Sequence, residues 1–435
     1  MAPSVILSFA ALGLAVTVPL LFWYAVGALA LASILFLATR HTVAFCVAWV
    51  LIAGMSLEMT LTDLVGPEAF QSTIAAIKAA QIGLAGLAAL RWGVRIDPLN
   101  PALVFIGIGV IGILHGLAPG LTAADSMRSL IGSVAPFAFG FVRLRPAWAS
   151  TMIRVIPWCP LAAVLGGGIL ALAGVRPLFV DSGGMRLAGL GHPAFLANVC
   201  LPAIYAGLIG LWRDGRRAAL ALLGVNFAIL LLTGARAPLL CAGAVTVGSL
   251  LFVSSPAFPL RRRMLTLLLI ACAIPPAALL SGDLAEIRLF NLLNTDLANL
   301  SGREILWPVF EAAAARSPWF GWGLGAGNAI IPPDDPVARL LHTWAAHNEY
   351  LRIQVEGGEV GRALLILVFI AWVWIRTLPL PGPNRRIMRL IFIALAVHAC
   401  TDNVLISTPA CVLFTLAAAV FSAPRSTLPD STKKA

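Results

Sequence analysis

Four arginines stand apart from the other basic residues of this chain. They are Arg186 in Asp181-Ser182-Gly183-Gly184-Met185-Arg186, Arg236 in Thr233-Gly234-Ala235-Arg236-Ala237-Pro238, Arg288 and Arg303. Each lies near the end of an apolar stretch or in the polar segment that follows. An arginine at the centre of a membrane span costs about 3 kcal/mol on insertion scales, so these positions need a reason. The planar guanidinium fork matches phosphate oxygens two at a time. A ring of such forks at a membrane surface suits a pyrophosphate whose lipid tail is buried. Taken one at a time, each arginine could equally snorkel or pair with a loop carboxylate. Arg186, Arg236 and Arg303 taken together favour the phosphate reading.

The second ingredient is a base. His347 sits in Ser301–Gly361, the only long stretch that cannot lie in lipid. Histidine is the side chain most often used for proton transfer near neutral pH, although a solitary histidine is more often structural than catalytic. His192, in Gly191-His192-Pro193, and the pair His398 and Asp402 are further polar groups near span ends. His398 and Asp402, spaced i, i+4, could meet on one helix face as a proton relay or a packing contact.

These residues need elements to hold them. Ser301-Gly302-Arg303-Glu304 reads as a capping box, opening a helix to about Arg316 that contains Pro308. Arg303 then sits in a first turn, where free backbone N–H groups favour anions. Pro318 and the glycines Gly321, Gly323, Gly325 and Gly327 end that helix and allow close backbone approach. As a phosphate loop they are a weak signal, since no strand precedes them. Asp335-Pro336 reads as a cap and first-turn proline, opening a second outer helix through about Val355 with His347 on it. On such a helix His342 and His347 are about 140° apart, the wrong spacing for a zinc pair. Asp334-Asp335 reads as a turn, and no metal site is expected.

The frame around this segment is lipid-soluble. Of 435 residues 60% are hydrophobic and 11% charged, and the mean hydropathy is +0.93. A soluble chain carries about a quarter charged residues. The expected fold class is therefore all-α, a polytopic helical membrane protein, since helices satisfy their own backbone groups in lipid. No period-two pattern suggests a barrel. Windows of roughly 17–25 apolar residues fall at 4–21, 22–39, 42–62, 71–90, 99–118, 126–142, 154–174, 193–212, 217–234, 237–255 and 264–281. Three more follow the polar segment, at 360–377, 386–404 and 408–422. With pairs merged or re-entrant the count is about 12–14. The division expected is a helical bundle over 1–281, an outer loop domain over 282–359, and the last spans with a short tail over 360–435.

The net charge of +11 does not point to nucleic acid. Arg91 and Arg95, Arg143 and Arg145, Arg213 with Arg216 and Arg217, Arg261 to Arg263, and Arg385 with Arg386 and Arg389 fall in alternate connectors. The positive-inside rule places those connectors, both termini and Lys433-Lys434 in the cytoplasm, and 282–359 outside. The seven cysteines fall mainly in spans, among them Cys46, Cys200, Cys241, Cys272 and Cys411, and the polar segment has none, which excludes a disulfide framework there. The N-terminal apolar stretch reads as a retained span rather than a cleaved signal.

These pieces in this order resemble the O-antigen ligase and polymerase superfamily of bacterial cell-envelope enzymes. The resemblance is sharpest from Thr233-Gly234-Ala235-Arg236 through Ser301-Gly302-Arg303 and Pro318–Gly325 to His347-Asn348 with Leu351 and Glu356-Gly357-Gly358. Arg186 with Gly191-His192-Pro193 and Asn198 adds to it. It implies a GT-C-like, metal-independent glycosyltransferase without a cofactor, at the periplasmic face of the inner membrane. The donor is then a glycan on undecaprenyl pyrophosphate and the acceptor lipid A–core oligosaccharide for ligases, or a second lipid-linked repeat for polymerases. By this similarity His347 is the base and Arg236 and Arg303 act on the pyrophosphate. Arg186, Arg288, Asn348 and His192 are expected to bind substrate. Alanine at 235, where serine is common, leaves no hydroxyl there. The short tail favours a ligase. A polymerase or a protein O-oligosaccharyltransferase shares every motif, and a lipid-glycan flippase would instead show inverted repeats.

Overall fold

The computed structural model describes residues 37–66, 68–181, 184–215, 217–268, 303–332, 335–341, 343 and 345–422. The expected spans before residue 37, most of the span at 264–281, Arg288, the Ser301 cap, Cys272 and His342 lie outside these residues. The window at 126–142 became Ala123–Val134 followed by a 3-10 stretch, Ala135–Phe141, and that at 154–174 became Pro146–Val155 and Cys159–Leu172 joined by a 3-10 turn. Other apolar windows became helices close to their expected limits. They are Glu68–Trp92, Ala102–His115, Pro193–Asp214, Arg217–Leu232, Arg236–Phe252, Gly382–His398 and Thr408–Phe421. Four helices of the described residues are long and apolar enough to cross a bilayer, and four more are shorter and apolar. The window at 42–62 is broken into Thr42–Met55 and Glu58–Val65, bent by 72°, as one broken span or a re-entrant loop. The chain is thus an all-α, multi-pass membrane protein.

Pro193–Asp214 is the axis of the bundle. Its most apolar window is 89% buried, against 28% for Phe70–Trp92 and for Glu349–Thr377, so this helix meets protein on nearly all sides while the other two face lipid. Trp212, Tyr205, Leu196 and Ile204 on it are fully buried. Bonds between the connectors sort the bundle into two ends. Arg143 N–H donates to Gly93 O at 3.0 Å, and Arg213 reaches Ser150 Oγ at 3.3 Å. Trp212 Nε1 donates to Val253 O at 2.9 Å, and Arg386 to Phe252 O at 3.0 Å. Arg376 pairs with Asp97 at 2.6 Å. The arginine-rich connectors therefore touch one another at one end. Each helix leaving that end carries its other terminus about 33 Å away for 22 residues at 1.5 Å rise, roughly the thickness of the hydrocarbon core.

At the far end a smaller apolar cluster holds the polar segment together. Leu306, Phe310 and Ala314 of helix Arg303–Arg316 pack with Ala326, Ile331, Ala338, Ala346, Leu351 and Val355. Burying a side chain such as Phe310 or Leu306 stabilises this cap by about 1.5–3 kcal/mol each.

The expected second outer helix is corrected. Pro336–Leu341 is a helix, with Asp335 Oδ1 accepting from Ala338 N–H at 3.4 Å, but it does not continue to Val355. A new helix starts at Glu349 and runs to Thr377. His347 lies in the link before it, with φ +46, so the angular argument about His342 and His347 no longer applies. Two short antiparallel strands, Phe179–Asp181 and Met185–Leu187, also escaped the sequence reading.

The glycine motifs have one joint explanation. Gly358 sits inside Glu349–Thr377 with φ 63 and ψ −168 and breaks its hydrogen-bond ladder. The loop after Pro318 repairs both sides of the break. Trp322 and Gly323 N–H donate to Val355 and Glu356 carbonyls at 2.9 and 3.0 Å. Glu359 and Val360 N–H donate to Pro318 and Trp319 carbonyls at 2.8 and 3.2 Å. Broken backbone in a span is tolerated only with such partners. A Cβ on Gly358 would lie 2.3 Å from the Trp319 backbone. Gly358→Ala is therefore expected to destabilise the protein by at least about 1–3 kcal/mol. Thermal unfolding in detergent measures it, and an unchanged midpoint would refute the role of this joint.

Candidate functional site

Three structural features bring His347 to its position. Asn348 is the N-cap of Glu349–Thr377, its Oδ1 accepting from Leu351 N–H at 3.1 Å, while Leu351 is buried in the outer cluster. The His347-Asn348-x-x-Leu351 pattern is thus a helix start with its anchor. Trp307 Nε1 donates to Ala346 O at 2.8 Å, which docks helix Arg303–Arg316 beside the histidine. Glu349 N–H donates to Ala399 O at 2.8 Å, and Tyr350 OH to Ala396 O at 2.9 Å. These bonds fix the helix start against the end of Gly382–His398. Below, buried Arg352 bridges Glu349 and Glu356, and Glu356 Oε1 accepts from Gly325 N–H at 3.2 Å.

The partner of His347 is Asp402. His347 Nδ1 lies 3.2 Å from Asp402 Oδ1. Asn403 N–H donates to the same oxygen at 2.8 Å, and Asn198 Nδ2 to Oδ2 at 3.0 Å. Burial alone would raise the Asp402 pKa, but the hydrogen bond and charge of His347, the charge of His398 and the Asn198 bond hold it well below the usual carboxylate range. The carboxylate is then acceptor-only, so His347 carries its proton on Nδ1 and presents a lone pair at Nε2. That nitrogen is 2.9 Å from Thr343 Oγ1. The expected pairing of His398 with Asp402 is present as a longer contact, Nε2 lying 3.9 Å from Oδ2, but not on a helix face, since the helix ends at His398. The turn bearing Asp402 is propped by Lys78, whose Nζ donates to Ile406 O at 2.7 Å.

His192 and Arg186 join this group from the central helix and the hairpin. His192 caps Pro193–Asp214, its Nδ1 accepting from Ala194 N–H at 3.2 Å. Burial, with the charges of Arg186, Arg176 and His347, pushes His192 down to about 4. Its folded pKa lies below the unfolded value of about 6.5, so neutral His192 contributes stability fully above pH 6.5. That contribution is lost as pH falls from about 6.5 toward 4. His192→Gln should flatten this part of the stability–pH curve in detergent melts between pH 7.5 and 4.5. An identical slope in both proteins would contradict it.

Arg186 lies on Met185–Leu187, 8% exposed, with Nε donating to Thr233 O at 2.7 Å. Gly234 follows in the left-handed region, φ 62, and Arg236 is the first residue of the next helix. Arg186 therefore holds the turn that presents Arg236. The backbone of Arg303 opens the helix whose Trp307 reaches Ala346. Arg288 lies outside the described residues. Asp402 and Thr343 were missed as members of the site. Thr343 carried no sequence signal, and Asp402 is 55 residues from His347 along the chain.

His192, Arg236, His347 and Asp402 lie at the helix ends opposite the arginine-rich connectors. The architecture defines a multi-pass membrane protein with a hydrogen-bonded His347–Asp402 pair at one face and His192 and Arg186 close to it. Residues 218–366 match the family model described as O-antigen ligase, and Arg236, Arg303 and His347 lie within the matched stretch. Arg186, His192, Asn198 and Asp402 come from outside the matched residues. No curated protein matches the chain.

Proposed function

We propose that the protein is an O-antigen ligase. In this reading it moves a glycan from undecaprenyl pyrophosphate to lipid A–core oligosaccharide at the periplasmic face of the bacterial inner membrane. The observation that carries it is the His347–Asp402 bond, which leaves Nε2 as a base on the face shared with Arg186 and Arg236. By the positive-inside rule the arginine-rich end is cytoplasmic, which puts this face outside.

The acceptor hydroxyl gives its proton to His347 Nε2 as its oxygen attacks the anomeric carbon. The bond to undecaprenyl pyrophosphate breaks on the opposite side, so configuration inverts. Asp402 stabilises the imidazolium that forms, as a carboxylate does in other His–Asp pairs. Arg236 and Arg303 neutralise charge growing on the pyrophosphate, without a metal or cofactor. Arg186 and His192 border the same site, and membrane lipid surrounds the polyprenyl tail.

The test uses purified protein in liposomes with labelled undecaprenyl-pyrophosphate glycan. Lipid A–core should become labelled. A longer lipid-linked glycan formed without lipid A–core would instead mark a repeat-unit polymerase, and a labelled protein acceptor a protein O-oligosaccharyltransferase. Movement of donor across the bilayer with no new glycosidic bond would mark a flippase and overturn the enzymatic reading.

A further inference from the structure

The Nε2 lone pair that the transfer needs is already engaged. Thr343 Oγ1 is 2.9 Å from it, and the same oxygen accepts from Ala345 N–H at 3.3 Å. With Nδ1–H given to Asp402, the only hydrogen between Thr343 and Nε2 belongs to the hydroxyl, so Thr343 donates. An imidazole nitrogen offers a single in-plane lone pair. An acceptor hydroxyl must approach along the line the Thr343 hydroxyl occupies, within about 2.6–3.2 Å. The His347 side chain is 30% exposed, so water reaches this ring. Thr343 itself is placed by the turn after Pro336–Leu341, its N–H donating to Ala338 O at 3.1 Å. Rotation about its Cα–Cβ bond is enough to vacate the position.

We propose that the Thr343 hydroxyl stands in for the attacking hydroxyl of the acceptor, keeping water off the base until an acceptor displaces it. This rests on the reading of His347 as base. In transfer, the acceptor O–H bond breaks with its proton going to Nε2. A C–O bond forms at the anomeric carbon, and the donor C–O bond breaks with its electron pair leaving on the pyrophosphate. In the guarded side reaction water replaces the acceptor and the product is free glycan. Thr343 is thus a positioning residue that occupies the base until an incoming hydroxyl displaces it.

The test compares wild type, Thr343→Ala, Thr343→Ser and His347→Gln as full chains in liposomes. Free glycan is measured without acceptor, and transferred glycan over a range of lipid A–core concentrations. Thr343→Ala should hydrolyse donor about five- to tenfold faster, the scale of one lost neutral hydrogen bond. Its apparent KM for acceptor should fall by a similar factor, and Thr343→Ser should match wild type. Should Thr343→Ala fail to fold, Thr343→Val keeps the shape without the hydroxyl and carries the same expectation for KM. Unchanged hydrolysis and KM would overturn the proposal. So would loss of transfer in Thr343→Ala retained in Thr343→Ser, which would make the hydroxyl a proton relay, or a glycan found on Thr343 by intact mass. Wild-type transfer by His347→Gln would instead defeat the base assignment, whatever the Thr343 variants do.

Discussion

His347→Gln should lower glycan transfer by about 10²–10⁴-fold, the range a positioned general base supplies, with insertion and thermal stability close to wild type. Asp402→Asn should lose nearly as much, and the reason is local. Asp402 Oδ1 accepts from His347 and from Asn403 N–H, and Oδ2 accepts from Asn198 Nδ2. All three partners require an acceptor. An asparagine has one carbonyl oxygen and must turn its NH₂ either toward Asn198 or toward His347 and Asn403. With the amide oxygen on Asn198, the NH₂ faces Nδ1 and forces the other tautomer, placing the proton on Nε2 where the lone pair is needed. The comparison with precedent is direct, since a carboxylate-to-amide change beside a catalytic histidine silences it through the tautomer. Single-turnover transfer from labelled donor measures both variants. Wild-type rates in His347→Gln would remove the histidine from the chemistry. A strong loss in His347→Gln with none in Asp402→Asn would leave the base but remove its orienting partner.

Much of the scaffold was legible because lipid imposes a simple rule. A helix that must bury about 20 residues in hydrocarbon announces itself by composition, and the windows at 193–212, 217–234 and 237–255 match Pro193–Asp214, Arg217–Leu232 and Arg236–Phe252. The alternation of arginine-rich connectors was equally readable, and the contacts among Gly93, Arg143, Arg213, Val253 and Arg386 gather them at one end. What failed was local structure in the polar segment. Leu340, Leu341, Ala345 and Leu351 have helical spacing, yet the chain leaves the helix after Leu341. Tertiary bonds prevail there: Asn348 caps a new helix, and Trp307 takes the Ala346 carbonyl that a continuous helix would use. The His347–Asp402 pair was hidden for a different reason. A contact across 55 residues has no periodicity, and Asp402 offered a nearer partner in His398. The shorter bond is made by the histidine that the helix starting at Glu349 brings to it, 3.2 Å against 3.9 Å for His398.

The second large effect is expected at Arg236. Arg236→Gln should cut kcat/KM for the lipid-linked donor by about 10²–10³-fold, as the loss of one preorganised charge stabiliser does elsewhere. Arg236→Lys should recover only part, because an ammonium keeps the charge but not the two-pronged geometry that phosphate oxygens match. Arg236 begins its helix, where N–H groups without intrahelical partners also face an anion. Arg186 supplies the contrast. Its Nε holds the Thr233 carbonyl beside the left-handed Gly234, so removing it disturbs the turn that carries Arg236. Arg186→Gln should therefore lower both transfer and the melting temperature, whereas Arg236→Gln should lower transfer alone. If Arg236 served the fold instead, its two variants would melt early and lose activity in the same proportion. If it bound donor equally in the ground and transition states, KM would rise while kcat held. The expected pattern, a fall in kcat with an intact fold, assigns the guanidinium to charge that appears only as the pyrophosphate departs.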